Sequence, residues 1–324
     1  MTRLTRRTLL AGATATLAAA SAQSPIHAAM PPSGKQAPGF YRYKVGNLEC
    51  TALNDGVLTF PMPDGFVTNV SRERALAAAE AAYMPAGMVR FPFTAQLINT
   101  GSKLVLIDTG WGAGVAPMVG LLAANLAAAS VDPKSIDVVV MSHLHPDHTG
   151  GIRTATGDLM FPHAEIMVPA LDWDFWMSDA HMASAPNETM KGYFATTRKL
   201  YSGLKDRVTA YQWGQEVAPG VIALDARGHT PGHTAFAMAS GASRAFIQSD
   251  ITVIPELFLL NPDWHVAFDI DPVQAVQTRR KFHDMAAAEK AVVIGYHFPF
   301  PAMGHVEKTE QGYRLVPIAW SPVI

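Results

Sequence analysis

The sequence predicts an α/β fold built as a single unit, and three observations lead to it. Short β-branched runs alternate with helical stretches along most of the 324 residues, the order that produces layered sheets with helices packed outside. No segment recurs at the roughly 20- to 50-residue spacing of solenoids, and no break in composition marks a second domain. The apolar run Ile136-Asp137-Val138-Val139-Val140-Met141 reads as a buried parallel strand, and a dense cluster of His and Asp follows it at once. The carboxyl end of such a strand is where open α/β sheets carry their sites.

Taken in order, Met1 to Ala29 read as an export signal of the twin-arginine type. Arg3, Arg6 and Arg7 precede an alanine-rich apolar run from Leu9 to Ala20, with cleavage expected after Ala22, Ala28 or Ala29. That run is shorter than the about 20 residues of a membrane helix, so the mature chain is expected to be periplasmic or secreted, with no stable membrane anchor. Residues 30–39 read as a Pro/Gly linker and residues 40–324 as the folded domain. Strands are expected at Tyr41–Val45, Glu49–Leu53 and Val57–Phe60, the last two separated by a turn at Asn54-Asp55-Gly56. Ser71 caps a helix running to Tyr83. Phe93–Asn99 and Leu104–Ile107 form a hairpin, and Val115 to Ala129 is expected to be helical, with Met118, Leu121, Leu122 and Leu126 facing the core. Ala170 to Tyr201 mixes helical stretches with aromatics and reads as an inserted helical lid. Further strands follow at Val208–Tyr211, Val221–Asp225, Thr234–Met238, Ala245–Gln248 and Ala291–Gly295, with Tyr313–Ile318 closing the chain. A helix opened by Asp271-Pro272 runs to about Ala288.

The hydrophobic fraction of 49% is enough for a sizeable core. The formal net charge of -2 gives no basic face for nucleic acid. Cys50 is the single cysteine, which excludes an intramolecular disulfide and a Cys-based metal site. Metal chemistry therefore falls to the stretch Ser142-His143-Leu144-His145-Pro146-Asp147-His148-Thr149-Gly150-Gly151. Imidazoles and a carboxylate are ligands that Zn²⁺ accepts. On an extended loop residues i, i+2 and i+4 share a side, whereas a helix would scatter them, and Pro146 argues against a continuous helix. Three further candidates stand after other buried strands: His229 in Gly228-His229-Thr230-Pro231-Gly232-His233, Asp250 after Ala245–Gln248, and His297 after Ala291–Gly295.

The stretch from His143 to His148 resembles the His-x-His-x-Asp-His motif of the metallo-β-lactamase superfamily. The later His and Asp residues follow in that superfamily's order. The resemblance runs from Phe40-Tyr41-Arg42 through Leu106-Ile107-Asp108-Thr109-Gly110 to His297-Phe298-Pro299-Phe300-Pro301, and within the superfamily is nearest to methyl parathion hydrolase and its lactonase-like and arylesterase-like relatives. It implies a four-layer αββα sandwich with a helical insertion. It implies two divalent metal ions, Zn²⁺ foremost, with Mn²⁺, Co²⁺ or Fe²⁺ as alternatives. His143, His145 and His229 would hold one ion, Asp147, His148 and His297 the other, and Asp250 would bridge. His233 is placed outside the ligand set. Asp55 and Asp108 are expected either to orient ligand imidazoles or to serve plain turn chemistry. Trp176, Tyr193, Phe194 and Val115 are expected to line the substrate pocket. Val115 and Tyr193 stand where the phosphotriesterase carries phenylalanines.

Two cations sharing a water lower its pKa toward about 7, so a bridging hydroxide is the expected nucleophile and no serine or cysteine is needed. Asp147 and Asp250 are the carboxylates expected at the reacting centre. The expected reaction is hydrolysis of an ester-like bond, in a lactone, aryl ester or phosphotriester, with a small hydrophobic substrate and no nucleic acid partner. The resemblance is compatible with a homodimer. A β-lactamase is the alternative that Asp250 disfavours, and an iron-dependent oxidoreductase on the same fold is the other.

Overall fold

Alternation along single strands explains how the layers form. In the computed structural model, which describes residues 33–324, Val138 and Val140 point into one apolar cluster while Val139 points into another. Val105 and Ile107 repeat the pattern against Leu106. A strand presents successive side chains to opposite faces, so a wholly apolar strand must be covered on both. The expected export segment, residues 1–29, lies outside the described residues.

The first sheet contains, in both chain and spatial order, β1 (Phe40–Val45), β2 (Leu48–Pro61), β3 (Met88–Asn99), β4 (Leu104–Ile107), β5 (Val138–Val140), β6 (Glu165–Pro169) and β7 (Val208–Tyr211). The second is built from β8 (Glu216–Ala218), β9 (Val221–Asp225), β10 (Thr234–Ser240), β11 (Ser243–Ser249), β12 (Val292–Gly295), β13 (Met303–Lys308) and β14 (Tyr313–Pro317), again neighbouring one another in chain order. Their inner faces meet in one core, where Ile98, Val105 and Val140 pack with Phe236, Met238 and Ile247. Burying each such side chain contributes about 1.5–3 kcal/mol.

Helices cover the outer faces. The described ones are α1 (Arg72–Ala81), α2 (Leu122–Ala128), α3 (Pro146–Thr149), α4 (Ala170–Met177), α5 (Asp179–Ala183), α6 (Glu188–Leu200), α7 (Pro255–Phe258) and α8 (Pro272–Glu289). Leu122 and Leu126 of α2 join Trp176 of α4 and Phe194 of α6 over the first sheet. Phe282 and Ala286 of α8 cover Phe246 and Val293 of the second. The architecture is the αββα sandwich. Among the described residues no helix is long and apolar enough to cross a membrane.

Four local expectations give way to tertiary forces. Asn54-Asp55-Gly56 is not a turn but a bulge inside the continuous β2, with the register to β3 shifting between Asn54 and Gly56. Gly56 has φ +125°, and a Cβ there would stand 2.0 Å from the Met118 carbonyl oxygen. The helix expected from Val115 begins only at Leu122, because the Asp55 carboxylate accepts the backbone N–H groups of Trp111, Gly120 and Leu122 and fixes the preceding segment as a loop. Met118 and Leu121 are consequently exposed. Pro146 starts α3 at its first turn, where its missing N–H costs nothing, so the ligand stretch is extended only as far as His145. Lastly, α4 and α6 form a packed outer layer over β5 and β6 rather than a lid.

His283 of α8 shows what burial does to an isolated base. Its Nε2 pairs with the Thr252 hydroxyl at 2.8 Å, and burial, reinforced by the Arg279 charge, pushes its pKa down to about 3. The folded value lies below the unfolded one of about 6.5, so the unfolded chain takes up a proton first and stability falls as pH drops from about 6.5 towards 3. In urea unfolding at matched metal content, His283→Gln should be less stable than the parent at pH 7. That gap should narrow by about 2 kcal/mol at pH 5. A gap independent of pH would show that His283 does not titrate with folding.

Candidate metal centre

Each candidate ligand stands just beyond a strand, which is how seven side chains from distant sequence positions meet. His143 and His145 follow β5, and α3 then turns Asp147 and His148 back towards them. His229 lies on the loop between β9 and β10, Asp250 follows β11, and His297 lies two residues after β12. Three groups result: His143, His145 and His229; Asp147, His148, Asp250 and His297; and His143, His233 and Asp250, each with its potential ligand atoms within 4.8 Å of one another. In the first, His145 Nδ1 is 3.0 Å from both His143 Nε2 and His229 Nε2. Asp250 reaches across: Oδ1 is 3.2 Å from His148 Nε2, and Oδ2 is 3.0 Å from His297 Nε2 and 3.4 Å from His229 Nε2. Asp147 Oδ2 stands 3.6 Å from both His148 Nε2 and His297 Nε2.

The outer nitrogens decide what the inner ones are. His297 Nδ1 donates to the Pro92 carbonyl at 2.9 Å, so in the neutral ring Nε2 carries a lone pair, aimed at a carboxylate oxygen. His229 Nδ1 donates to Asp269 at 2.8 Å and His148 Nδ1 to Asp108 at 2.8 Å, with the same result. Lone pairs facing lone pairs and carboxylates in a buried site repel unless positive charge stands between them. His148 Nε2 and Asp250 Oδ1 have no hydrogen-bond partner. The donor set therefore fits two divalent cations, with imidazole and carboxylate ligands and no thiolate.

The electrostatics express the same demand. Burial, helped by neighbouring histidines, holds His143 and His145 well below the ordinary imidazole range, so both are neutral and able to coordinate. Burial would lower His148 too, but the Asp250, Asp147 and Asp108 carboxylates outweigh it and raise that ring well above its ordinary value. Burial would raise Asp250, yet His148 and His297 hold it well below. His233 is lowered to about 3, chiefly by burial. Both its nitrogens are engaged, Nδ1 donating to the Ala226 carbonyl and Nε2 accepting from the Asp250 backbone N–H, so it positions Asp250 rather than facing a cation.

Asp108 orients His148, whereas Asp55 touches no imidazole and serves the loop described above. Asp269, Asp172 and Tyr296 carried no sequence signal. Asp172 accepts the backbone N–H groups of Leu144 and Gly232, tying the loop of His143 and His145 to that of His229. Tyr296 stacks on His148 and donates to the Asp147 carbonyl at 2.6 Å. These roles depend on backbone positions that only the fold brings near.

A cleft opens over Asp147, His145, His229 and His297, walled by Leu58, Phe60, Phe91, Phe93, Trp111, Tyr193 and Phe268. Of the expected pocket residues only Tyr193 lines it. Trp176 and Phe194 are fully buried, with Trp176 packed edge-on behind His145 and donating its indole N–H to Asp172. Val115, 55% exposed, lies on an adjoining groove. The aromatic wall comes largely from β2 and β3, where Phe60 and Phe93 gave only an ordinary strand pattern and Phe91 fell outside the expected strands.

With the geometry established, comparison places the chain among known proteins. A family model described as the metallo-beta-lactamase superfamily matches residues 94–297. The chain is 20% identical over 261 residues to N-acyl homoserine lactonase AiiA of Bacillus thuringiensis subsp. kurstaki, covering 74% of this chain and 92% of that one. Among solved structures, the hydrolase AbOPH superposes with a TM-score of 0.81 at 29% identity, covering 89% of this chain and 100% of that chain. The dizinc quorum-quenching lactonase AidC superposes with a TM-score of 0.82 at 24% identity, covering 87% and 98%.

Removing a ligand leaves an incomplete coordination shell, so His143→Ala, His229→Ala and Asp250→Ala should each bind fewer metal equivalents than the parent by elemental analysis. An Asp250→Ala protein retaining two equivalents and full activity would remove Asp250 from the shared position. Asp269→Asn should keep the fold but weaken metal affinity by about 10- to 100-fold in chelator competition. Unchanged affinity would make Asp269 a bystander.

Proposed function

The chain belongs to the metallo-β-lactamase superfamily, and from that premise we propose that it is a dinuclear metal-dependent hydrolase of ester-like bonds: lactone, aryl ester or phosphotriester. The single observation that carries this reading is Asp250, whose carboxylate stands 3.2 and 3.0 Å from His148 and His297 of one ligand group and 3.4 and 4.0 Å from His229 and His143 of the other. One carboxylate spanning two nitrogen sets supports a two-ion centre. Zn²⁺ is the ion the His and Asp donors suit best. The names of the similar proteins AiiA and AbOPH, a lactonase and a hydrolase, point the same way.

Two cations held by these residues would supply Lewis acidity, acidifying water and polarising the substrate's carbonyl or phosphoryl group through its oxygen. The protein's own contribution is placement. Asp108, Asp269 and the Pro92 carbonyl fix the tautomers of His148, His229 and His297, so the coordinating nitrogens need no rearrangement when substrate arrives. His233 pins the backbone of Asp250. Asp147 is the most open carboxylate of the cluster, at 17% side-chain exposure, and lines the cleft floor where a reacting group would sit. Phe60, Phe91, Phe93 and Phe268 exclude water and favour a neutral, apolar reacting group, which makes every charge interaction at the floor stronger. Residues 1–29, expected as a twin-arginine signal, make the periplasm or the medium the proposed place of action.

The reading is tested by assaying the protein, with its metal content measured, against lactones, aryl acetates, methyl parathion-type phosphotriesters and a β-lactam. Turnover of at least one of the first three, lost to a chelator and restored by Zn²⁺, is the expected result. One bound iron with oxygen consumption, or turnover of the β-lactam alone, would replace the proposal.

A further inference from the structure

The cleft over the ligand cluster is small. Its volume is about 80 Å³, while the adjoining groove holds about 760 Å³, and Trp111, Pro146 and Tyr193 form walls of both. An apolar cavity of about 150 Å³ accommodates a benzene-sized ligand, so the cleft takes only a few heavy atoms. The groove adjoins the cleft across Tyr193, Pro146 and Trp111, so a larger ester whose reacting carbon sits over Asp147 can extend its remaining atoms into it.

The groove differs from the cleft in charge. Its walls include Arg153 and Lys199 and no carboxylate. The Arg153 guanidinium donates to three carbonyls, of Leu200, Gly157 and Ser202, which hold it in place without cancelling its charge. Lys199 is exposed and has no acidic partner among the described residues. The acid nearest to Arg153 in sequence, Asp158, is not a wall of the groove and accepts from the Thr156 hydroxyl at 2.8 Å. Thr154, Thr196 and Ser202 add hydroxyl donors along the same walls.

We propose that this groove is a subsite for an anionic, carboxylate-bearing distal portion of the substrate, whose small apolar portion enters the phenylalanine-walled cleft. The inference rests on the hydrolase reading above and narrows it from neutral esters to amphiphilic ones. An exposed ion pair of this kind is worth a factor of about two to five in binding and fades as salt rises.

The test compares the acetyl ester of 4-hydroxybenzoate with that of 4-hydroxybenzamide, which differ by one charge at the far end from the acetyl group. The metal-loaded parent should show a KM lower by about two- to fivefold for the carboxylate ester at low salt. Lys199→Gln should level the two, whereas Lys44→Gln, which lowers the net charge equally from an exposed position on β1, should keep the preference. Equal KM values in the parent, or a preference that survives Lys199→Gln, would overturn the subsite and leave the hydrolase reading intact. If neither ester is cleaved, the hydrolase reading fails for these esters, and binding of the two compounds is followed by tryptophan fluorescence. Tighter binding of the carboxylate compound that depends on Lys199 then upholds the subsite, and equal binding overturns it.

Discussion

The structure depends on an arrangement that is repulsive by itself. Five imidazole rings and two carboxylates converge with acceptor atoms facing one another at 3.0–3.6 Å, in surroundings from which water is largely excluded. Such a cluster persists only where the scaffold outside it is rigid and where positive charge compensates inside. The first condition is met by the distribution of ligands over the ends of β5, β11 and β12 and the loop between β9 and β10, and the second would be met by the cations these residues are placed to hold. Because those strands are fixed by the inter-sheet core, the ligand loops begin from positions that cannot drift.

Carboxylates do the second part of the work, mostly against backbone. Asp55 gathers three N–H groups of the loop from Trp111 to Leu122, and Asp172 bridges the Leu144 and Gly232 loops. Asp108 accepts the Ser142 N–H and hydroxyl as well as the His148 ring. Charge-assisted bonds of this type are about twice as strong as neutral ones. Burial still lifts the Asp55 carboxyl to about 6, against the pull of its three donors. The ordering of these loops is thus electrostatic, while the ordering of the sheets is hydrophobic.

The two kinds of surface meet above the ligand cluster. The cleft is walled by strand-borne phenylalanines and floored by the ligand cluster, so it combines a dry wall with a charged floor. The adjoining groove is lined by loops and by α6, carries hydroxyls and two cations, and is nearly ten times larger. Tyr193, on α6, stands between them, and its phenol is raised above its ordinary pKa mainly by burial, then by the Asp147 charge.

By itself the sequence determined what depends on local pattern: alternating and continuous apolar runs that set the strands, the Ser71 and Asp271 caps, and the densely packed His and Asp of residues 143–148 with their counterparts at 229, 250 and 297. Those signals are legible because side-chain chemistry and period are written in consecutive residues. Only the tertiary structure decided the rest. It turned Asn54-Asp55-Gly56 from a turn into a bulge, held Val115–Leu121 out of a helix, buried Trp176 and Phe194 behind His145, and assigned the cleft wall to Phe60, Phe91, Phe93 and Phe268. It also supplied Asp269 and Asp172, which bond to atoms 40 and 60 positions away in the chain. A side chain that serves a remote backbone N–H or imidazole has no local signature, since its partner is chosen by how strands stack and not by its neighbours in sequence.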